Sequence, residues 1–530
     1  MAKRKKRTSK PGSDPKKGSE PTPRKRSGGK SVPEPARKAK ADKETREVPQ
    51  DAAAPQEQRT AFTIVAVGAS AGGMEAFCQV LERLPVNTGM AFVFIQHLHP
   101  TYESALAEIL GRETAMPVTE VKGDMAVQPN HVYVMPPSAY LGIHHGTLRL
   151  LPRPATNERH LPIDQFFRFL AADRGSGAIG VVLSGTGSDG VLGLKAIKAQ
   201  GGITFAQDEA SAKYDGMPHS AISSGSVDFV LSPGQIAAEL EYFASHPLVI
   251  QERAEGAPEA LPAGAGSLDS IFMLIRRRTG HDFTHYKPTT IQRRIRRRLV
   301  LHKLERLEDY VRYLKDNQLE IDALFHDILI NVTDFFRDPE IFELLAEKVF
   351  PAIMSKRPSD RPVRIWIPGC SSGEEAYSIA MTLLEFLGHR RTPAPIQIFA
   401  TDIDEVAINR ARAGVYPENI TQDVTPERLR RFFAPVEGGY QINKTIRDMC
   451  VFAEHNVTKD PPFSRLDLIS CRNLLIYLGT ALQRRVMRTF HYALNPNGFL
   501  LLGTAESTGE FGELFRAVDA KARIYGKKMV

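Results

Sequence analysis

The sequence predicts an α/β protein: two doubly wound α/β domains, a small helical domain between them and a disordered basic tail at the N-terminus. Three observations lead to this prediction. Apolar runs alternate with helical patterns in two separate regions, the interval between these regions is helical in pattern without convincing strands, and the first 60 residues are almost devoid of apolar side chains. At 530 residues the chain is also longer than one hydrophobic core usually organises.

The basic tail, residues 1–60, carries the positive charge of the chain. It holds 18 Lys and Arg residues against 8 Asp and Glu residues, whereas the remainder of the chain holds 51 basic and 53 acidic residues. A segment so rich in Pro, Ser, Gly, Lys and Glu cannot bury a core and is expected to be disordered. Its simplest interpretation is a solubilising tail, and weak contact with nucleic acid or acidic lipid is the alternative.

The first α/β domain is predicted over residues 61–249, followed by a linker over 250–267 that is rich in Ala, Pro, Gly and Glu. The predicted strands of this domain are Thr63–Val67, Ala91–Ile95, His131–Met135, Ile179–Leu183 and Ile203–Ala206. Its predicted helices include Met74–Leu84, Ser104–Leu110 and Gly193–Ala199.

The second half is predicted to contain a helical domain over 268–349 and an α/β domain over 350–530. The predicted strands of the α/β domain are Val363–Ile367, Ile396–Thr401, Leu466–Ser470 and Gly498–Gly503. We also expect Tyr440–Ile442 and Met449–Ala453 to pair as a small antiparallel hairpin.

Several classes of protein are excluded by what the sequence lacks. The four cysteines are widely scattered, so neither a disulfide framework nor a metal spacing emerges, and a reducing cytoplasm is favoured. No stretch approaches the roughly 20 apolar residues of a membrane helix, and the N-terminus lacks the apolar core of a signal peptide. We therefore expect a soluble, cytoplasmic protein with no membrane insertion and no metal centre.

Three strand ends of the first domain carry a possible serine-hydrolase site. Ser70 lies in a glycine-rich turn between a strand and a helix, His97 ends the next strand, and Asp189 follows a third. Because the carboxyl ends of parallel strands share one sheet edge, the three side chains can converge there. The roles would be nucleophile for Ser70, base and then acid for His97, and orientation of the imidazole for Asp189. The Gly185–Gly187 backbone is a candidate oxyanion donor.

Two other interpretations of this site are less well supported. His97-Leu98-His99 could suggest a metal pair, but no further ligands are obvious nearby. The turn at Gly68–Gly73 could bind a dinucleotide, but the next strand ends in Gln96 and His97 and offers no acidic residue for a ribose.

The motifs of the first domain resemble the catalytic domain of chemotaxis protein-glutamate methylesterases of the CheB type, over about Phe62 to Leu240. These motifs are Val67–Gly73, Gln96-His97, Pro162-Ile163-Asp164, Leu183–Gly190 and Met217-Pro218. The resemblance places the catalytic triad on Ser70, His97 and Asp189 and implies hydrolysis of glutamyl methyl esters on receptors, with glutamine deamidation as a possible addition. Such enzymes usually carry an N-terminal receiver domain, where this sequence has only the basic tail, so control by phosphorylation in cis is not expected.

The second glycine-rich turn indicates a different ligand. It contains Glu375, and the following strand ends in Asp402. An acidic residue at that strand end can accept the ribose hydroxyls of a nucleoside, although many such aspartates only cap a turn. Glu375 would repel a pyrophosphate but could bind an amine, which favours S-adenosylmethionine over a dinucleotide.

The motifs of the second half are similar to chemotaxis protein-glutamate O-methyltransferases of the CheR type, over about Leu268 to Tyr525. These motifs are Asn331–Asp338, Gly369–Tyr377, Thr401–Asp404, Asn456 and Cys471–Tyr477. The resemblance implies S-adenosylmethionine as the cofactor and chemoreceptor-like signalling proteins as substrates. The cofactor contacts that it implies are Asn331, Thr333, Arg337, Glu375, Asp402, Asn456, Val457, Arg472 and Asn473. Arg337 and Tyr477 would lie near the transferred methyl group.

Methyl transfer to a glutamate needs alignment more than proton transfer. The substrate carboxylate is already ionised near pH 7, so a general base is not required, and catalysis is mainly positioning. Arg337 could orient that carboxylate through a charge-assisted hydrogen bond.

An arginine-rich helix is predicted at Thr289–Leu299, with Ile291, Ile295 and Leu299 on one face. A solvated face is one interpretation of its arginines. Nucleic-acid binding is another, although no aromatic residues are interleaved for stacking. We favour docking against the acidic methylation helices of receptors, as the resemblance implies.

The sequence therefore predicts a bifunctional chemotaxis-type enzyme that removes methyl esters from protein glutamates with one half and adds them with the other. A signalling scaffold with one or both catalytic domains inactive is an alternative. The other alternative is a general serine esterase fused to a methyltransferase.

Overall fold

Two seven-stranded sheets, one in each half of the chain, form the framework of the computed structural model. The structure describes residues 62–97, 104–153, 160–246, 266–355, 361–388 and 395–529. The predicted tail, His99 and nearly all of the predicted linker lie outside these residues. Gln58–Val530 form one compact unit, and the predicted domain boundaries within it stay a prediction.

The first half contains ten strands and six helices among its described residues. The strands are β1 (Ile64–Ala69), β2 (Ala91–Gln96), β3 (Val118–Glu120), β4 (Met125–Ala126), β5 (Val132–Val134), β6 (Tyr140–His144), β7 (Thr147–Leu151), β8 (Ala178–Val182), β9 (Ile203–Gln207) and β10 (Phe229–Leu231). The helices are α1 (Gly73–Leu81), α2 (Leu106–Glu113), α3 (Pro162–Arg174), α4 (Val191–Ala199), α5 (Gly216–Ser223) and α6 (Pro233–Ser245).

The main sheet of the first half has the order β10-β9-β8-β1-β2-β5-β3, and all of its strand pairs are parallel. Side chains of α1, α2 and α6 cover one face, and those of α3, α4 and α5 cover the other. Since both faces are covered, the strands are buried almost throughout, which explains their continuous apolar sequence. β4, β6 and β7 form a separate antiparallel sheet.

The helical region begins with α7 (Ser267–Thr279) and contains no strand within its described residues 266–355. Its other helices are α8 (Pro288–Leu301), α9 (Leu307–Asp316), α10 (Gln318–Ile328), α11 (Pro339–Leu344), a π-helical turn (Leu345–Val349) and α12 (Phe350–Ser355). Ile271, Ile295 and Leu324 of this region belong to the same apolar cluster as Phe77 of α1 and Phe243 of α6. The helical region therefore shares a hydrophobic core with the first sheet.

The second α/β region is built on a sheet of order β16-β12-β11-β17-β18-β20-β19. Its strands are β11 (Val363–Pro368), β12 (Ile396–Asp402), β16 (Cys450–Glu454), β17 (Leu466–Cys471), β18 (Leu494–Leu502), β19 (Phe515–Asp519) and β20 (Ile524–Lys527). Its helices are α13 (Glu374–Leu387), α14 (Glu405–Ala413), α15 (Pro426–Phe432), α16 (Lys444–Arg447) and α17 (Thr480–Ala493). The pairs from β16 to β18 are parallel, and β20 joins antiparallel. The predicted α/β fold class is confirmed.

The predicted hairpin in the second half is wrong. β15 (Gly439–Ile442) is the central strand of a small antiparallel sheet, where it pairs with β13 (Val415–Pro417) and β14 (Phe433–Val436). The short helix α16 then separates it from β16, which pairs in parallel with β12 at the edge of the main sheet. Both apolar segments are strands, but α16 directs them to different sheets.

Candidate functional sites

Each main sheet has one point at which the strand order reverses, and the predicted site residues lie there. In the first sheet β1 is followed along the chain by β2 on one side, whereas β8 lies on its other side. In the second sheet β12 and β17 flank β11 in the same way. Loops leaving the carboxyl ends of such strands diverge and leave a crevice for a ligand.

Ser70 directly follows β1 and is held close to the loop that leaves β8. Its backbone N–H donates to the carbonyl oxygen of Ser184 at 3.0 Å. A Cβ on Gly185 would lie 2.8 Å from Ser70 Cβ, so the loop can approach the serine this closely only with glycine there. Gly72, with φ +74°, lets the chain turn into α1 directly behind the serine. The Ser70 side chain is left half-buried at the crevice.

His97 and Asp189 form a direct pair beside Ser70. His97 Nε2 lies 2.7 Å from Asp189 Oδ2, and the imidazole is 29% exposed while the carboxylate is 1% exposed. Because Nε2 faces Asp189, Nδ1 is the ring nitrogen left available to act as a base. Within the described residues the Ser70 hydroxyl makes no hydrogen bond to His97, a contact that often tightens only when substrate binds.

Asp189 is fixed by the N-terminus of α3, a feature that sequence reasoning missed. The backbone N–H of Asp164 donates to Asp189 Oδ1 at 2.8 Å, and that of Ile163 donates to Oδ2 at 3.1 Å. The Asp164 side chain is fully buried, and burial together with the neighbouring Asp189 raises its pKa. Pro162-Ile163-Asp164 is visible in the sequence, but nothing local indicates that it contacts Asp189.

The predicted oxyanion donor needs a correction. The N–H of Gly185 donates to the carbonyl oxygen of Tyr214 at 2.9 Å, so it is not available to a substrate. The Gly185 carbonyl also accepts from the N–H of Met217. Of the predicted stretch, only the N–H groups of Thr186 and Gly187 remain as candidates.

The second crevice contains a cavity of about 410 Å³. All nine predicted cofactor contacts line this cavity, together with Tyr477: Asn331, Thr333, Arg337, Glu375, Asp402, Asn456, Val457, Arg472 and Asn473. The structure therefore brings together residues from the α10–α11 connection and from the loops after β11, β12, β16 and β17.

An acidic and a basic side chain, Glu375 and Arg472, lie next to each other in this cavity. Glu375 Oε1 accepts from Ser470 Oγ at 2.5 Å, and Glu375 Oε2 lies 3.6 Å from Arg472 Nη1. Burial raises the pKa of the Glu375 carboxyl, an effect that Arg472 opposes. A carboxylate beside a guanidinium suits the ammonium and carboxylate of an amino-acid end group.

Asp402 lies at the end of β12 and lines the cavity. It accepts from the N–H groups of Ser371 and Asp404 at 2.8 and 3.0 Å, which fixes its carboxylate and leaves further lone pairs for a ribose. Burial raises its pKa. Asn331 bonds to both the Ser371 hydroxyl and Asp404, so the connection after α10 is tied to the same loops.

The groups near the predicted methyl position differ in how firmly they are held. Arg472 donates to the carbonyl oxygen of Arg337 at 3.0 Å and pairs with Asp338. Arg337 itself is exposed, and its one described hydrogen bond is a 3.5 Å contact to the Val332 carbonyl. Burial raises the pKa of Tyr477. Arg337 is thus free to reorient towards a ligand, whereas Arg472 is fixed.

Four residues with a strained backbone lie in or next to the segments that form this cavity, and two of them, Ser371 and Asn473, line it. Phe336, Asp338, Ser371 and Asn473 adopt left-handed φ values between +48° and +58°, a conformation that costs energy for residues other than glycine and clusters at functional sites. Glu506 supports the strained turn at Asn473, because it accepts from the N–H groups of Asn473, Ile476 and Gly503. Sequence reasoning missed Glu506, which follows β18 with no motif of its own.

The solvated-surface and receptor-docking interpretations of the arginine-rich helix α8 are both wrong for two of its central arginines, Arg294 and Arg297. Arg294 and Arg297 are buried, with 2% and 3% exposure. Arg294 donates to the carbonyl oxygens of Lys198 and Ala199 at the end of α4. Arg297 donates to the Gly202 carbonyl and pairs with Asp228 and Asp327. These arginines hold the helical region against the first α/β region.

Two predicted absences concern membranes and metals. None of the helices in the described part of the chain is long and apolar enough to cross a membrane. No group of three or more His, Cys, Asp or Glu side chains within the same residues is arranged to hold a metal ion.

Three family models match the chain in succession. Residues 65–240 match the model described as CheB methylesterase. Residues 267–329 match the all-alpha domain of CheR methyltransferase, and residues 331–524 match its SAM binding domain. The match to a SAM binding domain confirms S-adenosylmethionine as the predicted cofactor.

Individual relatives cover different shares of the chain. A 104.1 kDa protein of Rhodobacter capsulatus is 37% identical over 438 residues, which cover 79% of this chain. The chain spans 46%, about half, of that relative's length. The chemotaxis protein methyltransferase of Escherichia coli is 33% identical over 45% of this chain and 82% of its own. The crystal structure of the Thermotoga maritima CheB methylesterase catalytic domain has 30% sequence identity to this chain. The match covers 34% of this chain and 98% of the crystallised chain, with a TM-score of 0.32.

Proposed function

This chain belongs to the CheB methylesterase family through residues 65–240 and to the CheR methyltransferase family through residues 267–524, and from this premise we propose that it both hydrolyses and forms glutamate methyl esters on chemoreceptor-like proteins. The two families supply the opposing reactions of chemotaxis methylation. The proposal assigns one reaction to each crevice.

In the esterase site Ser70 is the nucleophile. Its oxygen attacks the ester carbonyl while His97 Nδ1 takes the hydroxyl proton, and His97 then returns this proton to the departing methanol. Water repeats the sequence on the acyl-enzyme and releases the glutamate carboxyl. Asp189, held by two backbone N–H groups, keeps the imidazole oriented and stabilises its charged form.

In the methyltransferase site the cavity residues hold S-adenosylmethionine. The acid–base pair of Glu375 and Arg472 suits the amino-acid end, and Asp402 suits the ribose hydroxyls. When bound, the cofactor supplies an electrophilic methyl group on a sulfonium. Arg337 and Tyr477 orient the substrate carboxylate, which is already ionised and needs no base.

The observation that supports the proposal most directly is that each crevice contains the side chains that the proposal requires. His97 pairs with Asp189, the N–H of His97 donates to the carbonyl oxygen of Ala69, which precedes Ser70, and all nine cofactor candidates line one cavity. An inactive scaffold would tolerate the loss of a nucleophile or a ligand, and neither half has lost one.

Two single variants test the two sites separately. Ser70→Ala should lower methanol release from a methylated receptor by at least about 10³-fold while leaving labelled-methyl incorporation intact. Arg337→Ala should lower incorporation by about 10²-fold while leaving methanol release intact. Methanol release that survives Ser70→Ala would refute the triad, and the absence of S-adenosylmethionine binding by calorimetry would refute the methyltransferase half. A screen with small methyl esters tests the alternative that this half is a general esterase. Hydrolysis of such esters as fast as that of the methylated receptor would favour the general esterase.

A further inference from the structure

Helix α3 lies between the two sites and contacts both. Asp164, Arg168, Ala171 and Ala172 recur at intervals of four, three and one residues, so they lie along one side of the helix. Arg168, Ala171 and Ala172 line the cofactor cavity of the methyltransferase half. The N-terminus of the same helix donates two hydrogen bonds to Asp189 of the esterase site.

The methyltransferase half holds α3 at two positions on this side. Asn419, which directly follows β13 in a short helical turn (Glu418–Gln422), donates from Nδ2 to Asp164 Oδ2 at 3.2 Å. One turn further along α3, Arg168 lies 3.4 Å from Asp334 and 3.9 Å from Asp423. Asn419 is only 1% exposed, so its amide is inserted into the boundary between the two halves.

A continuous set of hydrogen bonds leads from Asn419 to the catalytic imidazole. Asp164 Oδ1 accepts from the N–H of Gly193 in the first turn of α4 at 2.7 Å. The N–H of Asp164 donates to Asp189 Oδ1, and Asp189 Oδ2 contacts His97. Asp164 therefore connects α3 both to α4 and to Asp189. The other half of the chain contributes Asn419 as a hydrogen-bond donor to Asp164.

Packing alone does not explain an amide at this position. The Oδ1 atom of Asn419 is buried and has no hydrogen-bond partner within the described residues. Burying an unpaired carbonyl oxygen is unfavourable, and an apolar side chain of similar size would avoid it. What the amide adds is the N–H that Asp164 accepts.

We propose that Asn419 is a positioning residue for the esterase: through Asp164 it fixes α3 against Asp189 and so orients His97. The proposal rests on the Ser70–His97–Asp189 assignment made above. It makes the methyltransferase half a structural part of the esterase, because full esterase activity then requires the small antiparallel sheet of that half to be docked on α3.

The test compares esterase kinetics of full-length variants on a synthetic peptide that carries a glutamate γ-methyl ester. Asn419→Ala should lower kcat by about tenfold, as expected for a lost hydrogen bond to a buried carboxylate, with KM changed less than about twofold because the substrate does not touch this residue. Asn419→Leu keeps the branched shape of the side chain but removes the amide N–H without adding a charge, so its kcat should fall as far as that of Asn419→Ala. A role in packing alone would leave Asn419→Leu near wild type.

Two controls separate positioning from general damage. Gln422→Ala changes an exposed neighbour in the same turn and should leave kcat unchanged. Affinity for S-adenosylmethionine should be unchanged in all variants, and if Asn419→Ala lowers it, Asn419→Leu, which leaves no cavity, decides the outcome. In a double-mutant cycle with Asp164→Asn, the combined loss in kcat should not exceed the larger single loss by more than about twofold.

The outcomes are distinguishable. If Ser70→Ala abolishes methanol release but both Asn419 variants keep the wild-type kcat, the role of Asn419 is refuted while the triad stands. If the losses in the cycle multiply, Asn419 does not act through Asp164 and the proposal is refuted. If Ser70→Ala remains active, the triad fails and this proposal fails with it.

Discussion

Individual site residues differ in how visible they are in the sequence. Ser70, His97 and Asp402 stand at the ends of apolar runs, and Glu375 follows the glycine-rich turn after another such run; a parallel sheet collects such positions at one edge. Asp164 and Glu506 act on neighbouring residues instead of on the ligand. Their partners come from distant loops, so only the folded structure reveals them.

At the residue scale, the buried acidic side chains of the cofactor cavity lead to a prediction about how the affinity for S-adenosylmethionine depends on pH. Burial raises the pKa of Glu375 and of Asp402. A cationic ligand binds their ionised forms, so protonation competes with binding. We expect the affinity for S-adenosylmethionine to fall as the pH is lowered, and to begin falling at a higher pH than ordinary carboxyls would cause.

Calorimetry in two buffers of different ionisation enthalpy checks this prediction. The affinity should be lower at pH 5.5 than at pH 7.5, and binding at the lower pH should release protons, as linkage requires. Glu375→Gln should weaken binding at pH 7.5 and reduce the pH dependence. An affinity that is constant across this range would contradict the assignment of these carboxylates to the cofactor.

At the element scale, the helix patterns were easier to predict than what the helices contact. The apolar spacing of α8 is clear, and Ile291, Ile295 and Leu299 are buried as this spacing implies. The opposite face is rich in arginine, which by composition is typical of a solvated surface. Here it meets the C-terminal carbonyls of α4 and the Asp228 and Asp327 carboxylates, partners that no local pattern reveals.

Arg297 of α8 provides a stability prediction. Its side chain is 1% exposed and pairs with two buried carboxylates. Arg297→Ala removes the cation that Asp228 and Asp327 share and leaves them only the longer contacts to Lys198 and Arg298, respectively. Removing one member of a buried ion pair costs about 3–5 kcal/mol. Scanning calorimetry should show a Tm lower than wild type by about 3–5 °C, given the entropy of unfolding of a unit of this size.

A matched control for this prediction lies in the next helix. Arg312 pairs with Asp309, but its side chain is 76% exposed. Arg312→Ala should therefore change stability by less than about 0.5 kcal/mol. Equal Tm values for the two variants would mean that the buried pair contributes no more than the exposed one.

At the scale of the whole molecule, the fold class was predictable because two alternations of strand and helix leave few topologies. The contact between the two halves was not predictable, because it is made by residues that lie far apart in sequence. The helical region shares an apolar cluster with α1 and α6. At its edge, Lys303 pairs with Glu239 at 2.8 Å and lies 4.6 Å from the centre of the Tyr242 ring.

These contacts predict that the halves stay associated when the chain between them is cut. A site for a specific protease placed within residues 250–265, followed by cleavage, should give two fragments that still co-elute on size exclusion, because the shared core and the Arg294 and Arg297 contacts remain. The same cleavage in an Arg297→Ala background should release part of the fragments at low concentration. Fragments of the wild-type chain that separate at once would show that only the linker joins the halves.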